Sequence, residues 1–297
     1  MTQKVVDSSL LECETLRGYL SASSNNYAIV PDFVAMEAYK GDTLNQIYSR
    51  MAILGENPKQ VIVLKATQEL CRLSGRAAAS QTPLVDQSQT RGFPNYCQQL
   101  MAAKRGDVFL QKQLAEHGRV ATNYIDSMLL DMKTLASGIG LIAKTYSPTE
   151  LKILRRREKP TQEMHDKLIE QVCMLAQMFF AQHTGAVKMP KGAQLRNTFI
   201  FRYALCGYIS ILKRIENGTA LEVKPDKLRN DVVDMNVAAI ATYFDGLLTT
   251  DKKAALIHAD AEFLLRELFP IPPWRVRIVI GLVQGVTAVR AFLARKN

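Results

Sequence analysis

Four acidic residues drawn from the two ends of the chain, Asp7, Glu37, Asp234 and Asp251, stand where their local sequence can turn them toward one site. Asp7 closes the short apolar run Lys4-Val5-Val6, and Asp251 closes Gly246-Leu247-Leu248-Thr249-Thr250 in the same way, so both read as carboxylates at the carboxyl ends of strands. That edge is where open parallel sheets build their sites. Glu37 and Asp234 fall on helical stretches that start or pass beside the same edge if the two chain ends share one sheet. Four carboxylates in one pocket raise each other's pKa and resist desolvation, so they cannot all ionise without a cation. Oxygen ligands alone select a hard divalent ion, magnesium or manganese, over zinc.

The elements that must position these acids are legible at both ends. Residues 4–7 read as a strand, and Ser8-Ser9 supply hydroxyls to cap a helix over 10–20, which the turn cluster 21–26 ends. A second strand over 27–30 stops at Pro31. Asp32 reads as the N-cap of a helix over 33–40 that carries Glu37, with Gly41 as its stop. From 42 to 217 the pattern becomes a succession of helices over 57–75, 94–114, 121–142, 161–182 and 195–215, with one more starting at Ser147, where Glu150 takes the capping-box position. Val61-Ile62-Val63-Leu64 is strand-like, but its longer frame reads as helix. Alternation resumes after the turn Asn217-Gly218: a brief strand over 221–223, a helix over 227–243, a buried strand over 246–251 and a helix over 254–269. Residues 274–294 fit either a strand plus helix or one basic-flanked helix. The expected fold is α/β: a short parallel sheet formed by 1–41 and 218–270, interrupted by an all-helical insertion over 42–217 and followed by a C-terminal element over 271–297.

At this point the residues resemble a known family. Asp234-Met235-Asn236-Val237-Ala238-Ala239-Ile240-Ala241, followed by Leu247-Leu248-Thr249-Thr250-Asp251, is similar to the late pattern of PIN-domain nucleases: an Asp, apolar residues, small residues, then a strand ending Thr-x-Asp. Val5-Val6-Asp7-Ser8-Ser9 resembles the family's first strand, which ends Asp-Thr-Asn, and Val30-Pro31 through Glu37 resembles the strand and helix that bring the second acid. The resemblance covers the two flanks and implies a PIN-like three-layer fold whose insertion the family does not describe. It implies that Asp7, Glu37, Asp234 and Asp251 hold Mg2+ or Mn2+, that Thr249 orients the last carboxylate or a substrate phosphate, and that Asp234 or Asp251 positions the attacking water. The activity implied is endonuclease cleavage of phosphodiesters, RNA favoured, in a housekeeping, toxin or defence ribonuclease. Asp32, Asp231 and Asp245 read as caps or solvated neighbours. Asp231, one helical step before Asp234, is the first candidate for a further participant.

Composition bounds the alternatives. The 297 residues are 47% hydrophobic, enough to bury a large core, and a net charge of +10 favours a polyanionic partner. Arg155, Arg156 and Arg157, with Lys152 and Lys159, form the densest basic run; Lys188, Lys191, Arg196 and Arg202 form a second, flanked by Phe199, Phe201, Tyr203 and Tyr208. Either group can contact nucleic-acid phosphates or be a solvated face, and the aromatics can stack on bases or fill the core. The five cysteines lie far apart and read as reduced core thiols. His117, His165, His183 and His258 suit no triad, and no phosphate-binding glycine loop occurs. An N-terminus that reaches Asp7 at once leaves no signal peptide, and 278–289 is too short to span a membrane, so a cytoplasmic protein is expected. The rival function is a non-catalytic scaffold whose insertion binds a partner; an inhibitor protein or a homo-oligomer is the further expected partner.

Overall fold

The computed structural model describes residues 1–268 except 42, 75–76, 157, 159, 183–188, 191 and 219–224; the side chains of 126–141, 143, 192–193, 225–227 and 268 are likewise outside the description. The expected strand over 221–223, the whole C-terminal element over 271–297, Arg157, Lys188 and Lys191 therefore lie outside it.

β1 (Thr2–Val6) ends in Val5 and Val6, both fully buried, as strands covered on both faces require. A 3-10 turn and α1 (Glu14–Ser21) return the chain, burying Leu16 and Leu20 one turn apart, and β2 (Asn26–Val30) pairs with β1 in parallel. α2 (Asp32–Tyr39) and α3 (Leu44–Glu56) lead to β3 (Val61–Val63), and the short α4 (Thr67–Leu70) follows. The helices α5 (Gln87–Lys104), α6 (Val108–Lys144), α7 (Pro148–Arg156), α8 (Gln162–Gln182), α9 (Phe199–Glu216) and α10 (Pro225–Ala241) come next, before β4 (Leu247–Leu248) and α11 (Lys252–Leu268).

β3 corrects the expectation of a helix over 57–75 and of a strandless stretch from 42 to 217. Asn57 ends α3, one turn over Pro58–Gln60 redirects the chain, and Val61, Ile62 and Val63 pair with Ala28, Ile29 and Val30. Gln60 fixes this corner, because its amide Nε2 donates to the carbonyls of Leu20 (3.0 Å), Ser23 (2.9 Å) and Asn26 (2.6 Å). β-branched residues fit a pleated, half-buried surface, and here pairing with β2 overrides the helical frame.

The sheet is all parallel in the order β3-β2-β1-β4. The chain winds outward from β1 to β3 and then crosses to the far side of β1 for β4. The crevice between the carboxyl ends of β1 and β4 is therefore a topological switch point, where the connections diverge and leave room for a ligand. Register there is fixed at both ends. Asp7 N donates to Leu248 O at 2.9 Å, while Asp245 N donates to Gln3 O at 2.8 Å and its Oδ2 accepts from Gln3 N at 2.7 Å. Gly246, at φ +123° just ahead of β4, turns the chain into the sheet, a conformation open to a residue without Cβ.

α10 packs against β1 and β4, α9 against α10, and α8 against α9, so the helical layers stack on the sheet edge that holds the switch point. α9 is enclosed by them: Phe199, Phe201, Leu205, Cys206 and Tyr208 are buried. The capping box at the start of α7 forms as expected, with Ser147 N donating to Glu150 Oε2 at 2.7 Å and Glu150 N to Ser147 Oγ at 3.2 Å. The helix expected over 94–114 is instead split at Gly106 (φ +110°) into the end of α5 and the start of α6. Among the described residues, no helix is long and apolar enough to cross a membrane.

Candidate active site

Asp7 is the residue after β1, and its carboxylate is 7% exposed. Two hydroxyls converge on its Oδ2, Ser9 Oγ and Thr249 Oγ1, each donating at 2.6 Å. Thr249 is the matching residue after β4, and its Oγ1 also accepts from Asp251 N at 2.9 Å. Thr250 N donates to Ser9 Oγ at 3.2 Å. The loop that ends the last strand is thus tied by side-chain hydroxyls to the loop that ends the first, and Asp7 and Asp251 come together across the switch point. Asp251 also caps α11, its Oδ1 accepting from Lys253 N at 2.6 Å and Ala254 N at 3.0 Å. A capping aspartate and a site aspartate are one residue here, because the helix N-terminus favours the charge that the cap supplies.

Asp234 projects from α10, with its side chain 17% exposed. Its carboxyl is pushed up from 3.8 to about 7, first by burial and then by the negative charges of Asp251, Asp7 and Glu37, in that order. Asp234 is half-buried, whereas Asp251 is exposed, so Asp234 feels the repulsion of Asp251 from a group nearer to water. Glu37 is half-buried on α2, whose end is held where Arg50 Nη1 donates to Glu37 O (2.6 Å) and Lys40 O (3.0 Å). Hydrogen bonds thus link Asp7, Thr249 and Asp251, and Asp251, Asp7 and Glu37 each act on Asp234 through their charge.

Beside Asp234 opens a cleft of about 540 Å3 whose charged lining is balanced, with Glu216, Asp231, Asp234 and Asp251 facing Lys213, Arg214, Lys252 and Lys253. The chain matches no family model, no curated protein and no solved structure. What the cleft does must be read from its own chemistry.

Among the described residues, no three His, Cys, Asp or Glu side chains stand close enough to form a ready metal cage. Magnesium needs none: it keeps several of its waters and binds directly through one or two carboxylates. Four hard oxygen donors, one of them with its pKa raised to about 7 by burial and by the charge of the other three, fit such an ion in charge and donor type.

Asp231 is not a solvated neighbour. Its side chain is 8% exposed; Oδ2 accepts from Arg214 Nε at 2.8 Å, and Oδ1 accepts from Lys253 Nζ. Two cations satisfy it, so it is not a spare metal ligand. The Lys253 ammonium also lies 3.9 Å from Asp234 Oδ2, and its pKa is pushed down to about 8, by burial first and then by Arg214. Sequence reading missed Arg214 and Lys253. The available signal was spacing: Asp231 and Asp234 share a helix face, and Lys253 follows the Asp251 cap. Asp32 is structural, its Oδ2 accepting from Thr67 N (2.6 Å) and its Oδ1 from Thr67 Oγ1 (2.8 Å) and Phe33 N (2.8 Å). Asp245 serves the β1–β4 register.

The basic clusters divide. Arg155 and Arg156 are exposed at the end of α7, with Arg156 3.6 Å from Glu158. Arg196 is half-buried, and burial lowers its pKa. Arg202 is no phosphate contact: it is buried, donates from Nη1 to Thr242 O (2.7 Å) and Oγ1 (2.9 Å), and lies 3.6 Å from the centre of the Tyr243 ring. Phe199, Phe201 and Tyr208 are core, and Tyr203 packs on Phe179 and Phe199 at 5.5 and 5.9 Å between ring centres, so they offer no stacking platform for bases.

Proposed function

We propose that the chain is a PIN-type, metal-dependent nuclease that hydrolyses phosphodiester bonds, RNA favoured, at the β1–β4 switch point. The observation that carries this reading is Asp234, whose carboxyl is pushed up to about 7 first by burial and then by three further carboxylates from both ends of the chain. A fold needs no such repulsion, and a divalent cation removes it. Asp7, Glu37, Asp234 and Asp251 would hold Mg2+ or Mn2+, which when bound supplies an acidified water and balances the charge that develops on a phosphate in transit. Ser9 and Thr249 fix one oxygen of Asp7, so that carboxylate needs no reorientation when the ion arrives. Thr249 also holds the Asp251 backbone, which makes it the hinge between the two outer acids. One of these acids, Asp234 or Asp251, would orient the attacking water and take its proton. Lys252 and Lys253 stand in the cleft beside the acids, where they could meet the phosphates of a polyanion.

A single experiment tests the reading. Purified protein incubated with RNA and Mg2+ should cleave it, and an Asp7→Asn, Asp234→Asn double variant should not; equal cleavage by both removes the proposal. The approach of Lys253 to Asp234 favours a second reading, in which the lysine replaces the metal and the domain is a scaffold. Under that reading the wild type binds neither Mg2+ nor Mn2+ in isothermal titration.

A further inference from the structure

Asp231 and Lys253 form a device the four-acid site does not need. Asp231 is a buried anion clamped between two cations, with Arg214 on one oxygen and Lys253 on the other, so the trio carries one net positive charge. Its open end is Lys253: the Arg214 and Asp231 side chains are 12% and 8% exposed, whereas that of Lys253 is 33% exposed and lines the cleft beside Asp234 and Asp251. The charge is aimed. A lysine on an exposed helix start ordinarily moves through many rotamers, but the bond from Asp231 holds this ammonium on the cleft floor, 3.9 Å from Asp234 Oδ2. A cation arriving at Asp234 repels the ammonium from that oxygen while Asp231 keeps it in the cleft, where it faces the space a ligand anion would enter.

We propose that Lys253, held by the Arg214–Asp231 pair, grips a non-bridging oxygen of the phosphate that lies over the four acids. The inference rests on the nuclease reading and names the substrate contact of that site. Lys253 is then a residue that touches substrate, and Asp231 and Arg214 are positioning residues acting through it. Lys252, also in the cleft but exposed, lacks such an anchor.

The test uses the full chain, a fluorescein-labelled single-stranded RNA of 12 nucleotides, and a KCl series in EDTA read by fluorescence anisotropy. For single strands, each phosphate neutralised contributes about −0.7 to the slope of log affinity against log salt. Lys253→Gln should flatten the wild-type slope by about that amount and, with Mg2+ added, lower kcat/KM about tenfold or more. Lys253→Arg should restore the slope, because it keeps the charge and the bond to Asp231. Mg2+ affinity without RNA should be equal or higher in Lys253→Gln, since a positive charge beside Asp234 is gone. A Lys253→Gln variant that melts with the wild type and shows its slope and its rate overturns the proposal while leaving the nuclease reading standing. Slope loss in Lys253→Gln together with a wild type that cuts no RNA overturns the nuclease reading while the phosphate contact stands. Failure of the wild type to bind RNA at any salt overturns the contact as well.

Discussion

Asp234→Asn should make the metal-free protein more stable at alkaline pH, the opposite of what loss of a buried polar residue usually does. In the folded chain the carboxyl titrates at about 7, against 3.8 in the unfolded chain. Below pH 3.8 both states hold the proton, and Asp234 has no effect on the pH slope. Between 3.8 and about 7 the unfolded chain has released the proton and the folded chain has not, so the folded state binds more protons and stability falls as pH rises. Above about 7 the loss is complete. A gap of about 3 pH units at about 1.4 kcal/mol each gives an upper bound of about 4 kcal/mol. Water reaching a side chain that is 17% exposed, and the ammonium of Lys253, reduce it, so about 2 kcal/mol is the working figure. Asparagine keeps the shape and cannot ionise. At about 2 °C per kcal/mol for a chain of this size, the variant should melt about 4 °C above wild type at pH 8.5 in EDTA, and the difference should shrink toward zero at pH 4. Scanning fluorimetry across that range measures it. Mg2+ should raise the wild-type melting point at pH 8.5 and leave the variant nearly unmoved. A variant that melts at or below wild type at pH 8.5, or a wild type with no fall in stability between pH 4 and 7.5 attributable to this residue, refutes the reasoning.

Asp231→Asn should act in the reverse direction: it leaves Arg214 and Lys253 without their shared anion, and breaking a buried pair costs about 3–5 kcal/mol, read as a lower urea midpoint at every pH above 5. Asp32→Ala should cost about 2–3 kcal/mol, because Thr67 N and Oγ1 lose their acceptor, yet it should leave Mg2+ affinity within twofold of wild type by isothermal titration.

The flanks were legible because their signals are local. A strand followed by a carboxylate and hydroxyls occurs at Val5–Ser9, and a strand followed by hydroxyls, a carboxylate and a helix occurs at Leu247–Asp251, and no distant contact is needed to see either. The central segment hid β3 because three residues inside a longer apolar frame have too little period to declare themselves; pairing with Ala28–Val30 and the Gln60 corner decide the matter, and both are long-range. Arg202 was misread for the same reason. An arginine in a basic run looks solvated, and only the packed helix shows its guanidinium over Tyr243 and bonded to Thr242. The hydroxyls read as caps for a helix over 10–20 do not cap it, since α1 starts at Glu14 after Cys13, and Ser9 donates to Asp7 instead.

Asp231 and Asp234 stand one helical step apart on the same face of α10, and the fold treats them oppositely. Asp231 receives two cations and has both oxygens satisfied. Asp234 receives three carboxylates and one ammonium at 3.9 Å. Arginine and lysine are therefore within reach of this face, and the chain uses them to neutralise one acid while leaving its neighbour in conflict. If burial alone had shaped the face, the second acid would be an alanine or would carry its own cation, since either relieves a penalty of kilocalories. A local rule broken beside a place where the same rule is kept marks a group retained for something outside the fold. At the carboxyl ends of β1 and β4, beside a cleft that holds lysines as well as acids, the divalent cation and phosphate proposed above would relieve that conflict.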